Sequence, residues 1–276
     1  MKKHLLQIKT GHNVQAMNGV KEHWSEALQY FPQDQLVGIF LQGSQNYGLE
    51  IESSDVDTKL IVVPSFKDIA LNKRPVSTTH VRANNEHTDW KDVRLYMDTF
   101  RKQNLNFLEI LFTSYAVLNA DYAYQWYRLV DKREAIARMN PWRAVKSMKG
   151  VALEKYHAME HEYPSKVDVL AQYGYDPKQL HHLLRVQEYM QRYIMGAPYR
   201  VCLRPKNPDY LKQVKQGLYT LEEAREVAKQ SIDKTVALAD QFCSCMADQE
   251  DEKIRELLED VQYEIMKIAV QKELEK

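Results

Sequence analysis

At 276 residues the chain is long enough for one large or two modest domains. Lysine plus arginine equals aspartate plus glutamate at 38 each, and the zero net charge argues against a nonspecific nucleic-acid binder while leaving room for a local basic patch. Three cysteines (Cys202, Cys243, Cys245) make no disulfide framework and suit a reduced, cytoplasmic protein, and neither a signal peptide nor a transmembrane run is evident.

In chain order, residues near 13–31 set Val14, Met17, Val20, Trp24 and Leu28 at helical spacing. Apolar strands follow at 36–42 and 57–63, then a polar loop around 66–79 and a short strand near 80–90. A helix is expected from about 92 to 103, with Asp92 placed to cap its N-terminus. From about 121 the pattern is helical nearly to the end, broken at Pro141, Pro164, Gly174, Gly196–Pro198 and Pro205–Pro208. The stretch Leu221–Lys276 reads as two charged helices packing on one face. The expectation is an α+β protein, with a small mixed-sheet core over 1–120 and a mostly helical domain over 121–276.

The chemistry concentrates between the first two strands. Gly43-Ser44 ends one strand in a tight turn that exposes backbone N–H groups, and glycine lets the chain pass close to a phosphate. The Ser44 hydroxyl adds a donor. About a dozen residues later, Asp55 and Asp57 stand at i and i+2 at the mouth of the second strand, so they project to one face. Two carboxylates that close repel unless a cation lies between them, and magnesium, or manganese, takes such hard oxygen ligands together with phosphates.

Gly43-Ser44 followed by Asp55-Val56-Asp57 resembles the DNA polymerase beta-like nucleotidyltransferase superfamily, and more narrowly its YcgL type from bacteria and phages. Two further stretches carry the narrower likeness: Asn104–Phe112, and Gly174-Tyr175-Asp176 leading into Lys178–Arg185. The resemblance implies a nucleotidyltransferase core, transfer of a nucleoside monophosphate from an NTP to an acceptor, and a third carboxylate on a neighbouring strand. Glu86, Asp89 and Asp92 are the candidates, and the family's pattern favours Asp89. Asp55, Asp57 and Asp89 would then be the catalytic and metal-binding acids, with Gly43 and Ser44 on the phosphates. Two metals would clamp the attacking and leaving oxygens, and the third acid would also serve as base for the acceptor hydroxyl.

Lys178, His182 and Arg185 share one helix face by spacing. On spacing alone they form a solvated basic stripe, but their place in the family-like segment implies nucleotide binding. Glu109 and Asn104 read as structural supports, and Tyr47 as either a base-stacking or a packing residue. His157 and His161, at i and i+4, read as a solvent-facing pair, and Lys146, Lys149 and Lys155 as surface cations. The acceptor is unidentified: RNA, a protein or a small molecule. The alternative is a nucleotide-binding or regulatory protein of the same fold without turnover.

Overall fold

A computed structural model describes residues 13–52 and 54–276, together with the backbone of residues 5–9. The elements run β1 Leu5–Lys9, α1 Val14–Ala27, β2 Leu36–Gln42, β3 Asp57–Val62, α2 Phe66–Ala70, β4 Ser77–Val81, β5 His87–Asp92, α3 Val93–Arg101, α4 Leu105–Leu108 and β6 Tyr115–Asn119. Helices follow: α5 Ala123–Asp131, α6 Arg133–Ile136, α7 Pro141–Ala158, α8 Val167–Tyr173, α9 Pro177–Ile194, α10 Tyr199–Leu203, α11 Pro208–Lys215, α12 Leu221–Ser244 and α13 Glu252–Leu274. The protein is α+β, as its sequence pattern leads one to expect.

Contacts divide the chain into two compact units. The first holds the described residues of 1–46, 53–139 and 250–276, and the second those of 47–52 and 140–249. This partition does not follow a single cut after residue 120. The two final helices separate, α12 belonging to the second unit and α13 to the first.

The first unit is built on a six-stranded mixed sheet of order β1-β6-β2-β3-β5-β4. The β3–β5 pair is parallel and the other pairs are antiparallel. β2 is apolar on both faces and buried almost throughout, as a strand covered on both sides must be. On one face, Ala16, Met17, Val20, Trp24 and Ala27 of α1 pack with Leu36, Ile39, Leu41, Leu60 and Val62. On the other, Phe40 meets Trp126 of α5 at 4.2 Å between ring centroids. β4 is an edge strand with the polar, mostly exposed sequence Ser-Thr-Thr-His-Val, which explains why it reads as loop. Asp92 does cap α3, accepting the Arg94 N–H at 2.9 Å. α13 completes this unit through Ile254, Leu258, Val261 and Ile265, with ion pairs from Arg101 to Glu250, Arg128 to Asp260 and Lys272 to Asp121.

The second unit is helical: α9 packs against α7, α10, α11 and α12, burying Leu180, Leu183, Val186 and Met190. Asp176 caps α9 and Pro177 opens its first turn, the position where a missing N–H costs nothing.

Candidate active site

Strand register brings the two halves of the motif together. Gln42, the last residue of β2, pairs with Asp57, the first of β3, so the Gly43-Ser44 turn starts beside the acid. Gly43 has φ +85°, a conformation that favours glycine, and no atom lies within 4 Å of where a Cβ would stand. Ser44–Asn46 forms a single 3-10 turn, so no long helix follows the glycine. The turn is tied down by Asn46, whose side-chain amide donates to the Leu41 carbonyl at 2.8 Å and accepts from the Thr113 hydroxyl at 2.7 Å.

Glu109 is 6% exposed, and its carboxylate accepts the Gly43 N–H at 3.2 Å. A buried carboxylate needs such a partner; here it supports the turn, in line with its sequence reading. Asn104 caps α4 by accepting the Asn106 N–H at 3.0 Å.

Asp55 is exposed and Asp57 half-buried. Asp57 Oδ1 accepts the backbone N–H of His87 at 3.0 Å, with His87 Nδ1 at 3.4 Å. Asp89 lies opposite Lys59 in the parallel β3–β5 ladder, and so on the same face as Asp57. Its carboxylate is engaged there: Lys59 Nζ stands 2.8 Å from Oδ2, and the Thr79 hydroxyl donates to Oδ1 at 2.7 Å. Burial pushes the Asp89 carboxyl up, but Lys59 and Thr79 outweigh it and leave the group below its ordinary value. Lys59 is 2% exposed, lies 4.2 Å from the Phe107 ring centroid, and is pushed below the ordinary lysine range by burial in spite of Asp89. Among the described residues, no three His, Cys, Asp or Glu side chains are grouped as an ion site. The face that carries the acids therefore presents Asp57 next to an internally neutralised Lys59–Asp89 pair. The sequence signal for Lys59 is a lysine inside an apolar strand, in step with Asp57.

Glu86 and Asp92 lie elsewhere. Asp92 is a helix cap. Glu86 belongs to a network with His23 and Arg82: its Oε2 stands 3.0 Å from His23 Nε2 and 2.7 Å from Arg82 Nη1. His23 Nδ1 lies 2.8 Å from the Thr58 hydroxyl and 3.0 Å from that of Thr88. Burial holds His23 below the ordinary histidine range despite Glu86. Burial raises Glu86, but hydrogen bonds from His23, Asn84 and Val56 leave it below its usual value. The pair is thus a neutral imidazole donating Nε2–H to a carboxylate, with a threonine hydroxyl donating to Nδ1.

In the second unit, Lys178 is exposed while His182 and Arg185 are half-buried along α9. His182 titrates well below the ordinary histidine range, through burial and then through the neighbouring His181, Arg185, Lys178 and Lys155. His181 is buried, bonds the Leu211 carbonyl at 2.8 Å, and is pushed down to about 4 by burial. The Arg185 guanidinium lies 4.1 Å from the centroid of the Tyr47 ring, and Tyr47 is 4% exposed. Tyr47 is therefore a packing residue under a cation. Lys146 stacks on Trp142, Lys149 pairs with Asp240 and Lys155 with Glu154. His157 and His161 are exposed, as expected. None of the three cysteines forms a disulfide, and no described helix is long and apolar enough to cross a membrane.

No family model and no curated protein matches the chain. Among solved structures, the chain is similar to a nucleotidyltransferase-like protein from Exiguobacterium sibiricum 255-15, at 13% identity over 82% of this chain and 74% of that one, with a TM-score of 0.30.

Proposed function

We propose that the protein transfers a nucleoside monophosphate from an NTP to an acceptor hydroxyl and releases pyrophosphate, as the YcgL-type resemblance implies. The observation that carries this reading is the Gln42–Asp57 register, which sets an open, left-handed Gly43 turn beside Asp57, two residues after Asp55. The donor set fits one magnesium or manganese ion: Asp55 and Asp57 offer hard oxygens, and such ions are commonly held by one or two carboxylates plus substrate phosphates. When bound, the ion would neutralise charge on the triphosphate.

In this mechanism Gly43 lets the phosphates approach the backbone and Ser44 donates to them. His87 steadies Asp57 through Oδ1, and Asp57 together with Asp55 would hold the ion. Asp89 serves as third acid: once freed from Lys59, it takes the proton of the acceptor hydroxyl. The acceptor oxygen then bonds the α-phosphorus as the bond to the pyrophosphate oxygen breaks. Lys178, His182 and Arg185 are proposed for anion recognition, His182 as a neutral hydrogen-bonding group. The acceptor is RNA, a protein or a small molecule, and the compartment is the cytoplasm.

The Lys59–Asp89 pair favours a second reading, a nucleotide-binding protein without turnover, because it occupies the acid that completes the catalytic set. Incubation with each α-³²P-labelled NTP, magnesium, total RNA and cell extract separates the two. Label should move to one acceptor pool and fall about a thousandfold in Asp57→Ala, roughly 4 kcal/mol of transition-state stabilisation. Transfer that survives both Asp55→Ala and Asp57→Ala overturns the assignment; NTP binding without transfer supports the second reading.

A further inference from the structure

The peptide linking Asp55 to Val56 is gripped at both of its polar atoms. Its N–H donates to Glu86 Oε1 at 3.2 Å. Its carbonyl, on Asp55, accepts from Gln45 Nε2 at 3.2 Å. Each gripping side chain is itself anchored. Glu86 holds His23 and Arg82 on its other oxygen, and Gln45 Oε1 accepts from Asn13 Nδ2 at 3.2 Å. The Val56 side chain is buried against Gly19 of α1, where an added Cβ would stand 2.7 Å from Val56 Cγ1.

A peptide unit is planar, so fixing its two ends fixes the ψ of Asp55 and the φ of Val56. Those angles aim the Asp55 side chain and set how the chain enters β3 at Asp57. Without a constraint, two carboxylates two residues apart would splay under their mutual repulsion. Residues 54–56 lie outside the ladder of β3, so strand pairing does not supply that constraint.

We infer that Gln45 and Glu86 are positioning residues for the acid pair: by clamping the Asp55–Val56 peptide they hold Asp55 and Asp57 ready for a divalent cation. This rests on the reading of that pair as a metal site. It also gives Gln45, in the Gly-Ser-Gln-Asn turn, a role distinct from that of Ser44, and gives Glu86 a role other than that of a third ligand.

The test is binding of Mn²⁺ alone, followed by electron paramagnetic resonance, with no nucleotide and no turnover. Gln45→Ala and Glu86→Ala should each raise the dissociation constant about tenfold, the lower end of what outer-shell partners of metal ligands contribute. Glu86→Gln keeps an oxygen for the Val56 N–H and should recover most of the affinity. Amide hydrogen exchange at Val56 should speed up in Glu86→Ala and not in Glu86→Gln. Unchanged Mn²⁺ affinity in Gln45→Ala and Glu86→Ala, with binding lost in Asp57→Ala, overturns the clamp and spares the metal site. Wild-type affinity in Asp57→Ala overturns the metal site and the clamp with it. Should Glu86→Ala not fold, the half-buried Gln45→Ala decides alone.

Discussion

In the unit that holds the sheet, Lys59 lies 2% exposed with its ammonium 2.8 Å from Asp89. In the helical unit, His181 lies equally deep with a backbone carbonyl, that of Leu211, at its Nδ1. The first unit buries Lys59 in a charge-matched pair with the half-buried Asp89, and keeps His23 neutral beside Glu86. The second keeps His181 and His182 uncharged among the cations Lys155, Lys178 and Arg185. A matched pair fails when one member is removed, and a neutral base fails when a proton is added. The first unit should therefore respond to loss of a partner as well as to acid, and the second chiefly to acid.

The largest expected effect comes from breaking the match. Lys59→Met strands the Asp89 carboxylate and should lower the unfolding free energy by about 3–5 kcal/mol in urea titrations, while a Lys59→Met/Asp89→Leu double variant should regain most of it. An equal loss in single and double variants would mean that lysine packing, and not charge matching, governs the site. Because the Asp89 carboxyl is depressed, its contribution is present above the ordinary carboxylate range and lost as pH falls through its lower folded-state value.

The next effect belongs to the neutral side of the comparison. His181 titrates at about 4 in the folded protein against an ordinary 6.5, so between those values the unfolded chain binds the proton that the folded chain refuses. Stability should fall as pH drops through that window, by roughly 3 kcal/mol for this group. His182 adds to the same slope. Unfolding measured across the window should show a shallower acid loss in His181→Gln than in wild type; parallel curves would show that the proton is taken up elsewhere.

The smallest effect sharpens the comparison from the cation side. Arg185→Ala removes the guanidinium from the Tyr47 ring and should cost about 1 kcal/mol in unfolding free energy, with Arg185→Lys intermediate. A neutral outcome for Arg185→Ala would make Arg185 a group held for ligand and not for packing.

Much of the first unit was legible in the residues. The apolar runs before Gly43 and after Asp57 mark β2 and β3, and Asp92 before Val93 marks the cap of α3, because burial and capping are local demands. β4 was not legible, since an exposed edge strand carries no apolar alternation. The face shared by Asp57 and Asp89 could be argued from parity, but the partner of Asp89 could not, since Lys59 reaches it only through the β3–β5 register. Likewise Glu86 stands in the sequence as a candidate third acid behind the favoured Asp89, and only the fold sends it to His23 and Val56. Tyr47, placed beside the turn by sequence, is covered by Arg185 from a helix more than a hundred residues away.

α13 has a consequence for how the protein is made. Its apolar stripe belongs to the sheet-bearing unit, yet about 110 residues of the helical unit are translated before it. At roughly 5–20 residues per second, a ribosome exposes the sheet many seconds before the helix that completes its unit emerges. Until then the surfaces of α3 and α5 that receive α13 stand uncovered, and Arg101, Arg128 and Asp121 wait without their partners. The nascent chain thus carries an open apolar seam from the making of α5 until α13 emerges to close it.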